Sequence, residues 1–93
     1  MSDIRLVKLK SGEEIIGDVT VISNDVIISN PCQLRPTEQG IGFAPWPPFS
    51  KNDNVTVKMD WVICIADPVD AARDAWNQKC GSGIILPNVQ LNG

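Results

Sequence analysis

The chain has no histidine and no tyrosine among its 93 residues. General acid–base chemistry near neutral pH therefore loses its commonest side chain. Cysteine is scarce: Cys32, Cys64 and Cys80 make an odd count with no Cys-x-x-Cys spacing. Without histidine, that set suggests no zinc site, and we expect three reduced, buried thiols. No apolar run reaches the length of a membrane span, and "MSDIRLVKLK" reads as neither signal peptide nor anchor. A cytoplasmic protein with no membrane contact is expected. Aromatic residues are few, three Trp and two Phe, and excess positive charge is absent. Eight basic and eleven acidic residues leave a net charge of −3, against a generic nucleic-acid binder resting on a basic patch. A local basic spot stays open.

What is present suits one small folded domain over 1–93. Hydrophobic residues make up 43% and charged residues 20%. A domain this short buries a modest share of its surface, so self-association is a plausible source of stability.

The N-terminal half alternates with a period of two. Val7 and Leu9 share one face of a strand and Lys8 and Lys10 the other. "SGEE" is a turn, with Gly12 free to adopt positive φ. In "EEIIGDVTVIS", Ile15, Gly17, Val19 and Val21 fall on one face, and Glu14, Asp18 and Thr20 on the other. A glycine inside a strand marks a sharp bend or a close approach of another backbone. "SND" turns the chain into a third β run, "DVIISNPCQL", where Pro31 fits an edge or a bulge. Arg35 to Asn54 is rich in breakers and reads as a long loop. "NVTVKMDWVICIAD" then reads as two strands reversing near Met59 and Asp60.

One helix is expected, over about 68–80. Asp67 suits the cap, Pro68 the first position, Asp70 the first turn and Gly81 the stop. Val69, Ala72, Trp76 and Cys80 form one stripe, which packs on the domain or on a neighbouring subunit. The tail 81–93 has an apolar centre at Ile84–Leu86 and is expected to dock. The fold class is thus mainly β: a small, strongly bent, five-stranded antiparallel open barrel over about 4–66, of SH3 type, with a C-terminal helix.

Catalysis finds no support. No serine sits in a nucleophile elbow, no cysteine has a basic neighbour, and Glu13 and Glu14 point to opposite faces of a strand. Asp67 and Asp70 are read as helix-start residues. No catalytic residue, metal ligand or cofactor is expected.

The spacing Val7-x-Leu9-x-x-Gly12-x-x-Ile15-x-Gly17-x-Val19 resembles the first motif of Sm and Sm-like proteins. "DVIISNPCQL" matches that motif's third strand, and Val57 to Ile65 occupies the place of the second motif. The layout, with "PWPPFS" and "GSGIILP", also resembles small Sm-like proteins of tailed phages of marine cyanobacteria, which would make the location host cytoplasm. The resemblance implies a bent five-stranded barrel, edge-to-edge assembly into a ring of about five to seven subunits, and single-stranded RNA at the pore. It carries an RNA site onto Asn24, Asp25, Lys58, Asp60 and Trp61. The sequence departs from the family there. The turn before the third strand is short, with Asp25 in the place of an Asn. The family's Arg-Gly pair reads Lys58-Met59, which keeps charge but loses the planar fork. The family's N-terminal helix has no counterpart in this sequence, where a C-terminal one stands instead.

"GFAPWPPFS" (42–50) holds both Phe and one Trp among three Pro. It reads as a stiff, extended loop that packs on its own helix or on a neighbour, in preference to stacking bases. Phe43, Trp46, Phe49, Val62, Ile63 and Trp76 are the expected interface residues. The alternative to RNA binding is an oligomeric scaffold or protein-interaction module using that loop and the helix.

Overall fold

A computed structural model describes residues 3–38, 40–51 and 53–78. The elements in chain order are β1 (Ile4–Leu9), β2 (Glu14–Ile22), β3 (Asp25–Thr37), β4 (Gly40–Pro45), β5 (Asn54–Lys58), a 3-10 turn (Met59–Trp61), β6 (Val62–Ala66) and α1 (Asp70–Trp76). All pairings are antiparallel, in the order β4-β3-β2-β1-β6, and β5 also pairs with β3. Residues Asp25–Ser29 of β3 pair with β5, and Cys32–Thr37 pair with β4. The sheet is not closed, because β5 and β6 do not pair with each other. This is the expected bent, open, mainly β fold with a helix after it.

The bend has a local cause. Gly17 and the Asn30–Pro31 step face one another where the β2–β3 register shifts. A Cβ on Gly17 would lie 2.5 Å from Ile28 Cγ2 and 2.8 Å from the Ser29 carbonyl oxygen, so only glycine fits. Asn30 adopts φ of 51°, a region Asn tolerates better than most residues. Its N–H donates to the Asp53 carbonyl at 2.6 Å, and its carbonyl accepts the Trp76 indole N–H at 3.1 Å. Pro31 sits at the bulge, between the two partners of β3, where no ladder hydrogen bond is lost.

The extra residue at the bulge changes the phase of β3. Before it, Val26 and Ile28 point into one core with Val7, Leu9, Ile15, Val19 and Val57. After it, Cys32 and Leu34 contribute to a second core with Ile4, Ile16, Ala72 and Trp76. Ile15 and Ile16 are adjacent and both fully buried, so the first half of β2 is covered on both faces. The first core fills the bend; the second lies under α1.

Several expectations change. The Arg35–Asn54 stretch is not all loop: β3 continues to Thr37 and a hairpin returns as β4, making six strands among the described residues instead of five. Among the described residues the helix spans Asp70–Trp76, beginning two residues after Pro68; Lys79, Cys80, Gly81 and the tail 81–93 of the expected helix and tail lie outside the described residues. Val69 holds the N-cap position without a side-chain cap, and it is exposed although placed on the buried stripe. Asp67 does not cap the helix, because its carboxylate pairs with Arg5 at 2.9 Å, tying the helix lead-in to β1. Asp3 takes the same guanidinium at 3.1 Å, and together they hold Arg5 above its ordinary pKa. Cys32 is buried as expected, but Cys64 on β6 is exposed.

Candidate nucleic-acid interface

Two turns meet at one end of the sheet. The Ser23–Asn24 turn joins β2 to β3, and Ser23 has φ of 55°. The 3-10 turn Met59–Trp61 joins β5 to β6. Ladder register sets Asp25 opposite Lys58, and Lys58 Nζ donates to Asp25 Oδ1 at 2.7 Å. The Met59 N–H donates to the Asn24 carbonyl at 2.7 Å, locking one turn to the other. The Asp25 hydrogen bond and charge hold the Lys58 ammonium above the ordinary lysine pKa of 10.5. Asn24, Asp25 and Lys58 are thus brought together although Asp25 and Lys58 stand 33 positions apart.

Asp60 and Trp61 lie within that 3-10 turn. The Trp61 carbonyl accepts the Lys10 N–H at 2.9 Å, which fixes this turn against the end of β1. Its side chain is half exposed. All five carried-over residues therefore sit on the two joined turns. Asp25 offsets Lys58, and Asp60 leaves the five residues with a formal charge of −1.

Beside these turns lies a cavity of about 430 Å³, lined by Leu9, Val55, Val57, Trp46 and Trp61, with Glu13, Thr56, Lys58 and Asp60 as its polar members. Trp46 enters it from the segment after β4. Its indole N–H donates to Glu13 Oε2 at 3.1 Å. Glu13 reads from the sequence as a surface turn residue and Trp46 as an interface residue, yet the two are joined here. The adjacency of Glu13 to the β1–β2 turn carried no signal, because the contact to Trp46 spans 33 positions. A larger groove of about 550 Å³, lined by Leu34, Ile41, Val69 and Ala72 among others, gathers none of the carried-over residues.

The six expected interface residues divide by exposure. Trp76 is 2% exposed, enclosed in the core under α1, so its indole offers no area to a neighbour. Phe43 packs half-buried on that same core; Trp46 and Val62 pack half-buried on the other. Phe49 is fully exposed with φ of 68°, and Ile63 is 59% exposed. β6 carries Ile63 and Cys64 outward on a strand whose one pairing among the described residues is to β1.

A bent, open, antiparallel sheet with two turns joined at one end and a helix after it defines the class of small, strongly bent β-barrel domains. The family model for the Sm-like domain matches residues 6–75, and the chain belongs to the Sm-like family. No curated protein matches the chain. Among the described residues no helix is long and apolar enough to cross a membrane, and no cluster of His, Cys, Asp or Glu could hold a metal ion.

Proposed function

We propose that the chain assembles into a closed homo-oligomeric ring of about five to seven copies that binds single-stranded RNA at the joined turns. The observation that carries this reading is the contact between those turns: Lys58 to Asp25 and Met59 to Asn24, both at 2.7 Å. It gathers the residues that family resemblance assigns to RNA into one place. Ring assembly is supported by the open sheet. β5 and β6 each lack a second partner among the described residues, and β6 exposes Ile63 and Cys64. An apolar strand at an open edge pairs readily with another copy. In the ring, the outer edge of β6 pairs with the outer edge of β5 in the next copy. A binding role, without catalysis, and a cytoplasmic location belong to the same proposal; a phage source would make it host cytoplasm.

The test is native mass by light scattering, followed by titration with uridine-rich oligonucleotides at rising salt. A mass of about five to seven subunits and an affinity that falls as salt rises support the reading. A monomer, or no binding at low salt, overturns the corresponding half.

A second reading, a ring or other oligomer acting as a protein scaffold, is favoured by Phe49. Its ring is fully exposed at the end of a proline-rich loop, and Asp25 already neutralises Lys58. A ring that ignores RNA at low salt but loses a protein partner on Phe49→Ser would establish it.

A further inference from the structure

We propose that the cavity between Trp46 and Trp61 holds a single nucleobase and prefers guanine. This rests on the RNA-binding reading and names the base that the chain's own residues select.

The cavity is built from two indoles on separate elements. Trp46 is oriented by Glu13, whose Oε2 accepts the indole N–H at 3.1 Å. Ser11 Oγ donates to the other carboxylate oxygen at 2.6 Å. Both Glu13 oxygens are thus engaged, so Glu13 is a positioning residue for the indole. Pro45 and Pro47 flank Trp46 and restrict its backbone. Trp61 comes from the 3-10 turn, anchored by the Lys10 N–H on its carbonyl. With Leu9, Val55 and Val57 these rings line an open, mostly apolar pocket of about 430 Å³. A flat ring with an apolar face suits such a pocket, and every base has one.

Discrimination comes from the polar members. Lys58 is held by Asp25. Asp60 is exposed and has no hydrogen-bond or ion-pair partner among the described residues. An ionised carboxylate only accepts hydrogen bonds. Guanine sets two N–H donors, N1–H and the N2 amino group, side by side on its Watson–Crick edge, matching two carboxylate oxygens in a bidentate pair. Uracil places one N–H between two carbonyls, which a carboxylate repels. Adenine and cytosine each set an amino group beside an acceptor. Asp60 therefore selects guanine, while Trp46 and Trp61 supply stacking.

The experiment compares a uridine hexamer with the same hexamer carrying one central guanosine, binding to the whole assembled chain, followed by tryptophan fluorescence. The guanosine hexamer is expected to bind roughly tenfold tighter. Asp60→Asn is expected to bring the ratio of the two affinities to about one, with an unchanged circular dichroism spectrum because Asp60 is exposed. Trp46→Leu and the milder Trp46→Phe are expected to weaken the guanosine hexamer, the leucine variant more. Equal binding of both hexamers by the wild type overturns guanine selection while leaving RNA binding intact. Binding of neither removes the RNA reading and this inference together. If Trp46→Leu alters native mass but not hexamer affinity, a neighbouring copy fills the cavity and the base site is wrong.

Discussion

Lys58 and Asp25 face one another across the β3–β5 ladder, ammonium to carboxylate at 2.7 Å, and so join the two turns that carry the candidate site. The pair is exposed, and exposed pairs contribute little to stability. Its consequence is for charge. The folded Lys58 pKa lies above its unfolded value of 10.5, so what the pair contributes is fully present below 10.5 and is lost as pH rises through the folded value. Asp25→Asn is expected to lower the Lys58 pKa toward 10.5, read by NMR titration of the lysine side chain, and to leave the melting temperature nearly unchanged between pH 6 and 9. Freed of its carboxylate, Lys58 should also steepen the salt dependence of oligonucleotide binding.

Gly17 is where β2 and β3 come closest. Alanine there would press on Ile28 and on the Ser29 carbonyl, of which only the side chain could yield easily. Gly17→Ala is expected to destabilise the fold by about 1–3 kcal/mol, the range for overpacking a tight site. Urea denaturation of the two proteins measures it. An unchanged midpoint would show that the bend relaxes.

Trp76 closes the core beneath α1 and hydrogen-bonds to the carbonyl of Asn30 at the bulge. Trp76→Ala is expected to cost about 3–5 kcal/mol of stability. Trp76→Phe keeps most of the packing but removes the donor to Asn30, and should cost about 1–3 kcal/mol. If both variants match the wild type in denaturant, α1 is not part of the cooperative fold.

Ile63 contributes little to the single chain's core, being 59% exposed on the edge strand β6. Ile63→Asp should therefore leave the fold of one chain intact and change stability by less than about 0.5 kcal/mol per isolated domain. In the proposed ring it sets a charge in the junction, so native mass should fall to that of a monomer. A variant that keeps the assembled mass would move the junction away from β6.

The parts of the fold legible in the sequence are those with local causes. Alternation marks β1 and β2 because side chains on a strand repeat every two residues, and β-rich composition marks the start of β3. Gly12 takes φ of 101° in its turn, and Gly17 sits where a side chain cannot. The hairpin of β3 and β4 was hidden by Pro36, Gly40, Gly42 and Pro45, which have poor strand propensity. Pairing along the far end of β3, Leu34 opposite Phe43, outweighs that propensity. Asp67 looked like a helix cap because capping is local; Arg5, 62 positions away in sequence (67 − 5), takes it instead. The candidate site was legible in its residue names through resemblance, but Glu13 and the cavity were not.

A small, mostly β chain without histidine chemistry, with its glycine bend, its polar turns and a helix after the strands, follows from the order of residues. These follow from side-chain period and backbone freedom, which act over a few residues. Long-range contacts are what split the apolar residues between two cores at the Asn30–Pro31 bulge, enclose Trp76 within its own chain, and bring Trp46 and Trp61 to the lining of one cavity. A shift of one residue in register exchanges the two faces of a strand; Pro31 fits an edge as well as a bulge, so the local pattern alone does not say which apolar residues change face.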